Sequence, residues 1–441
     1  MKRINQRRAT AVVAGVAVST LALAACGGSD DGGGANEDGS VTLSFLVDNS
    51  ETSVALAEGL AEAYTAENPD VTVEVETRPQ GSDGDNVVKT RLSTGDMTDV
   101  FAYNSGSLFQ ALNPAQTMVP VESTEGLAEA FVESVTAEDK VYGVPLGTFM
   151  GGGIMYHIPT YEELGLEVPK TWDQFMENNA AIEEAGKVPV IQTYGSESTW
   201  TSQLFVLGDF HNVAQEEPDF AEQYTAGEAK YADTPAALRG FEKTQEVQDE
   251  GFVNEDFASA NMPDGMRMVA NGEGVHYPML TFAMSEVTAN LPDKVDDIGF
   301  FGIPGEDEAS HGLTVWSPGA VYIPATTEGD KLAAAQDFLA FIGSPEGCQA
   351  QIEATPPQGP MAVEGCELPE DVPQVVKDIQ TYVDTEGATT PALEFLSPIK
   401  GPALEQILIE VGSGIRPAEE AAALYDEDAK KQAQQLGIEG W

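Results

Sequence analysis

Cysteine and histidine are scarce in this chain, three and four in 441 residues. His157, His211, His276 and His311 stand far apart, with no HExxH, no paired ligand spacing and no CxxC. Metal centres and thiol redox motifs need such clustering, so no metal or cofactor is expected. Basic residues are few as well, 21 against 73 acidic, for a net charge of −52. That charge repels nucleic acid and anionic lipid, which removes nucleic acid as a partner. Acidity of this kind also serves solubility or salt adaptation and singles out no substrate. Beyond residue 25 no apolar run is long enough to span a bilayer. Hydrolase motifs are missing too: there is no G-x-S-x-G, and Ser397-Pro398-Ile399-Lys400 matches S-x-x-K without a K-T-G partner. No enzyme is expected.

What is present begins at the N-terminus. Lys2, Arg3, Arg7 and Arg8 precede an apolar run over residues 11–23 that is too short to cross a membrane, the layout of an export signal. Its end, Leu23-Ala24-Ala25-Cys26, resembles the lipobox of bacterial lipoproteins. The resemblance implies cleavage before Cys26, acylation of that cysteine, and a lipid-anchored place on the extracytoplasmic face of the cell membrane. An ordinary secretory signal that happens to contain a cysteine is the alternative. Each buried methylene contributes about 0.8 kcal/mol and one acyl chain holds only marginally, so several chains on Cys26 make a durable tether. Residues 26–40, after Cys26 almost entirely Gly, Ser, Asp, Asn and Glu with little to bury, read as a flexible linker. Removing residues 1–25 takes away four basic residues and no acidic one, moving the net charge from −52 to −56. Cys348 and Cys366 then remain in an oxidising compartment. They either form a disulfide, which over such a loop contributes about 3 kcal/mol in the chain-entropy model, or stay as buried free thiols.

About 400 residues exceed what one core usually organises, so two lobes are expected. Residues 41–47 have buried-strand composition, 54–67 carry Leu56, Leu60, Ala63 and Tyr64 at helical spacing, and 71–75 alternate. A helix over 87–92 and a strand over 99–103 complete a strand-helix-strand-helix-strand order, which implies a parallel sheet with helices on its faces. Ligands of such sheets sit at the carboxyl ends of the strands, which points to Asp48 and Asn49 and to Asn104 and Ser105. The same residue types start turns and cap helices, and both readings stay open. Further on, Thr171 suits the N-cap of a helix over 172–185, 188–191 reads as a short strand, and 235–250 as a long helix. Segments 274–282 and 298–303 read as strands, 331–342 as a helix, and the C-terminal stretch 392–441 as largely helical. No internal repeat is found.

Five segments in order now carry a second resemblance: Ser93-Thr94-Gly95-Asp96-Met97-Thr98-Asp99-Val100, Tyr142-Gly143-Val144-Pro145, Met155-Tyr156-His157, Gly165 through Phe175, and Gly186-Lys187-Val188-Pro189-Val190. Together, from Val41 to Trp441, they resemble the family 1 extracellular solute-binding proteins of sugar-uptake ABC transporters, the maltose-binding-protein group. The resemblance implies an α/β fold of two lobes, each a sheet flanked by helices, with the ligand cleft between them. Lobe 1 would comprise 41–147 and 304–345, and lobe 2 would comprise 148–303 and 346–441. It implies lobe closure around a carbohydrate, most simply an oligosaccharide, and delivery to ABC permease subunits, the protein acting as a monomer. Sugars offer hydroxyls to polar side chains and C–H faces to flat rings. On that logic the ligand-binding positions are Asp48, Asn49, Asn104, Ser105, Trp200, Tyr277, Met279, Phe282, Trp316 and Ser317. Two stretches depart from the family pattern, Pro278-Met279-Leu280 and Pro398-Ile399-Lys400, where stacking rings are often found; Tyr277, Phe282 and Trp316 are the substitutes at hand. A peptide or polyamine is the alternative solute, and an anchored hydrolase the rival from another class.

Overall fold

In the computed structural model, residues 39–441 are described. The export signal, Cys26 and most of the polar linker lie outside them. The strands Val41–Asp48, Val71–Arg78 and Val100–Tyr103 run parallel, joined by the helices Glu51–Glu67 and Gly81–Thr94. The expected alternation thus holds, and each helix is longer at its N-terminus than the apolar spacing alone showed. Leu43, Phe45, Leu46 and Val47 are wholly buried, as is Leu60 from the covering helix. The sheet does not end there. Gly319–Pro324 pairs antiparallel with Val100–Tyr103 and with Gly143–Leu146, and carries Met118–Val119 at its end. The lobe therefore holds a mixed sheet, its antiparallel part supplied from far along the chain, with Val321 set opposite Ala102.

The second lobe is built around Met150–His157, which pairs antiparallel with Gly274–Leu280, Ile298–Gly302 and Leu313–Trp316. Val188–Val190 and Thr389–Pro391 close its edges in parallel. Gly151, Gly152 and Gly153 let neighbouring side chains lie directly on the central strand: a Cβ on Gly152 would overlap the Trp316 ring, and one on Gly151 would fall 2.7 Å from Phe300. The Trp172–Glu184 helix starts as the sequence indicates, with a full capping box between Thr171 and Gln174.

Sheet membership fixes where the chain passes between the lobes. The first passage is Gly147–Thr148–Phe149, between paired strands of the two sheets. The second is Ser317–Pro318, between Leu313–Trp316 in the second sheet and Gly319–Pro324 in the first. The sequence suggested a return near Pro304; that proline follows a strand, but one further strand is added to the second sheet before the chain leaves. Nor does it leave lobe 1 near Pro345. The Pro345–Ala354 helix packs on Glu51–Glu67, where a Cβ on Gly59 would lie 2.5 Å from that of Ala354. Cys348, Ala362 and Val363 are buried in the first core, whereas Val375 and Ile379 belong to the second, so the third passage falls between them. Cys348 and Cys366 form a disulfide, with Cα atoms 6.2 Å apart. No helix among the described residues is long and apolar enough to cross a membrane.

Candidate functional site

The carboxyl ends of the first three strands spend most of their polar groups on the fold itself. The Asp48 carboxylate accepts from the Ser50 N–H at 2.9 Å and from the Ser53 hydroxyl at 2.6 Å, tying strand to helix. Ser50 is the N-cap and accepts from the Ser53 N–H. Asn49 is exposed and receives the Gln80 amide at 3.5 Å. The Ser105 hydroxyl is buried and donates to the Pro318 carbonyl at 2.8 Å, and the Tyr322 hydroxyl donates to the Asn104 carbonyl at 3.0 Å, leaving the Asn104 side chain exposed. These bonds hold the loop after the third strand against the second passage. Gly106, in a left-handed conformation, touches lobe 2, since a Cβ there would come within 2.6 Å of Phe395.

In the second lobe the predicted residues divide. Tyr277 and Met279 are core residues, 1% and 0% exposed. Tyr277 spends its hydroxyl on Thr193 at 2.6 Å, and burial raises its pKa. Both belong to a strand flanked by strands on each side and covered by the Met262–Asn271 helix, so neither offers a surface to a solute. The Trp316 ring packs directly against Gly152, and its indole N–H donates to the Glu394 carboxylate, which also receives Lys400 at 3.2 Å. Ser317 is buried, its hydroxyl reaching the Ala130 carbonyl at 3.4 Å. Trp200 is half-buried in a short 3-10 turn, and its ring packs on Phe282 with centroids 5.7 Å apart and planes tilted by 31°. The S-x-x-K pair has no partnership: Ser397 is buried and hydrogen-bonded to Thr225, while Lys400 reaches Glu394.

Phe282 is the predicted residue that opens onto a cavity. Around it the lobes and the first two passages line a half-open cavity of about 150 Å³. Lobe 1 contributes Thr52 and Leu56 from its first helix, the passages contribute Leu146, Gly147, Thr148, Met150, Pro318 and Gly319, and lobe 2 contributes Phe282. The remaining wall is Gln351, Ile352, Thr355, Pro356, Pro357, Gln358 and Met361, which lie within the loop that the disulfide closes. Gln351 is 2% exposed and binds the first passage at two points, accepting from the Gly147 N–H at 2.7 Å and donating to the Pro145 carbonyl at 3.4 Å. The Phe149 N–H donates to the Pro360 carbonyl at 2.8 Å and adds a third link. Sequence reasoning missed this wall. The one local sign was Pro356-Pro357 between two cysteines, which marks a rigid turn without saying what it faces.

The molecule is thus two lobes joined by crossing segments, with a cavity at the crossings. Residues 48–347 match the bacterial extracellular solute-binding protein family. The chain belongs to that family. The "Multiple sugar-binding protein" of Streptococcus mutans is 24% identical over 362 residues, covering 79% of this chain and 81% of the relative. Among solved structures, a chitin oligosaccharide binding protein superposes with a TM-score of 0.76 at 20% identity, over 90% of this chain and 99% of that one. The structure titled "SBP RafE in complex with raffinose" superposes with a TM-score of 0.73 at 21% identity, over 89% and 100%. The two-lobe α/β fold is thus the one these structures share.

Proposed function

We propose that this chain captures an oligosaccharide in the cleft between its lobes and delivers it to the permease subunits of an ABC transporter. It works as a monomer at the extracytoplasmic face of the cell membrane, tethered through an acylated Cys26. The observation that carries the reading is the cavity at the passages, where residues of both lobes and the Phe282 ring, backed by Trp200, face one space. A ring supported from behind presents its other side to the C–H face of a sugar at little ordering cost. Family membership and a sugar-binding relative support the same solute class. The chain acts by closing on its solute and makes or breaks no bond in it.

Calorimetry and thermal denaturation against mono- and oligosaccharides, amino acids, peptides and polyamines test the proposal. A ligand at a hundredfold excess over its dissociation constant raises stability by about 2.7 kcal/mol. Solution scattering should show a smaller radius of gyration at saturation. Stabilisation by polyamines or peptides with none by any sugar defeats the carbohydrate assignment.

A further inference from the structure

We infer that Thr355 and Gln358, in the disulfide-closed loop, select the solute by taking its hydroxyl groups while Phe282 covers its apolar face. The inference rests on the carbohydrate reading above and names the side chains that discriminate among sugars. No ionisable side chain lines the cavity among the described residues, so the polar contacts it offers are hydroxyls, amides and backbone groups. Thr52, Thr148, Thr355 and Gln358 line it without a side-chain hydrogen bond among the described residues. A threonine hydroxyl and a glutamine amide each donate and accept, which matches a sugar hydroxyl that does both. The two glutamines of the loop differ in this respect. Gln351 spends both ends of its amide on the first passage, whereas Gln358 keeps its amide for the cavity.

The backbone that carries Thr355 and Gln358 is fixed on both sides. Thr355 ends the Pro345–Ala354 helix in an extended conformation, φ −146° and ψ 140°, the region to which a following proline confines it. Pro356 and Pro357 hold their own φ angles. Beyond Gln358, a Cβ on Gly359 would overlap the Phe149 carbonyl, the Pro360 carbonyl accepts from the Phe149 N–H, and Met361 bridges Thr148 antiparallel. The segment is thus clamped by the helix at one end and by the first passage at the other, so its polar groups meet a solute at little ordering cost. Thr52 and Thr148 each add a lone hydroxyl; the 355–358 segment brings a hydroxyl and an amide together in one clamped stretch.

Isothermal calorimetry on the mature protein with raffinose, maltotriose, cellotriose and diacetylchitobiose finds the tightest binder, and monodeoxy analogues of that sugar are then measured on the parent, Thr355→Val and Gln358→Met. Each substitution should weaken binding of the sugar about fivefold, the worth of one neutral hydrogen bond, and leave the melting temperature without ligand unchanged. Each should also abolish the penalty for one particular missing hydroxyl, because changes to the two partners of one contact do not add. Thr355→Ser keeps the hydroxyl and should keep the affinity. The variants are read separately, so one that fails to fold leaves the other to decide. Parent affinity in both variants, or weaker binding with every deoxy penalty intact, overturns the inference and leaves the carbohydrate reading standing. Binding of spermidine or a tripeptide, with none of any sugar, overturns both.

Discussion

Breaking the Cys348–Cys366 disulfide should weaken both the fold and the ligand site, and the two effects can be separated. The bond closes a loop with a sequence separation of 18. The chain-entropy relation then gives about 11 cal/mol/K of unfolded-state entropy, or about 3 kcal/mol at 25 °C. The loop is also a working part of the molecule, because residues 351–361 form one wall of the cavity and hold Pro145, Gly147 and Phe149 of the first passage. Freed of the cross-link, that wall gains conformations that ligand binding must suppress, which lowers affinity while the lobes remain folded. The paired substitution Cys348→Ala and Cys366→Ala avoids leaving a buried thiol or hydroxyl in the first core. Urea denaturation should show a midpoint lowered in proportion to about 3 kcal/mol, and calorimetry with a bound sugar should show weaker binding at a temperature where the variant is folded. A variant with the parent's denaturation midpoint and the parent's affinity refutes both the loop-closure account and the role given to the wall.

Other consequences are equally open to measurement. Trp200→Ala should weaken sugar binding by about tenfold, because Phe282 loses the ring behind it, with little loss of stability; a large drop in melting temperature with unchanged affinity would make Trp200 a core residue. His276 is wholly buried between Tyr161 and Asn179, and burial lowers its pKa to about 3. It stays neutral when folded, so protons favour the unfolded chain, and its contribution, complete above pH 6.5, should decline by about 2 kcal/mol at pH 5. His276→Gln should flatten the stability profile between pH 6.5 and 4, and an unchanged slope contradicts this. Lys243 and Asp209 form an ion pair at 2.5 Å, each side chain 1% exposed, so Lys243→Met should cost about 3 to 5 kcal/mol by stranding the carboxylate; a chemical denaturation curve that overlays the parent's rejects it. Cys26→Ser should release protein into the medium or block processing, and unchanged membrane attachment by fractionation excludes acylation there.

Much of the fold was legible because its signals are local. The apolar stripe of Leu56, Leu60 and Tyr64 and the N-cap at Thr171 each act within a turn or two of chain, and both appear where the residues indicate. The passages between lobes were not legible in this way. Pro304 and Pro345 are strong breakers, yet a proline ends an element without saying which sheet receives the next one; that is decided by the pairing of Leu313–Trp316 with Met150–His157, two segments remote from each other in sequence.

The same reasoning explains why the site was only partly visible. Position at the carboxyl end of a parallel strand pointed to Asp48 and Ser105 as candidates, but folding engages the Asp48 carboxylate and the Ser105 hydroxyl in bonds within the chain, and neither residue lines the cavity. Tyr277 and Phe282 are close in sequence and chemically alike. A strand running between two neighbours buries the first, while the 3-10 turn after that strand turns the second outward onto the cavity. Ring chemistry therefore could not separate them; only the end of the strand at Leu280 does. The disulfide-closed wall is more remote still, since Gln351 meets Gly147 across 204 residues. In a molecule of two lobes, the residues that line the space between them are set by where the chain crosses, and crossings belong to the tertiary structure.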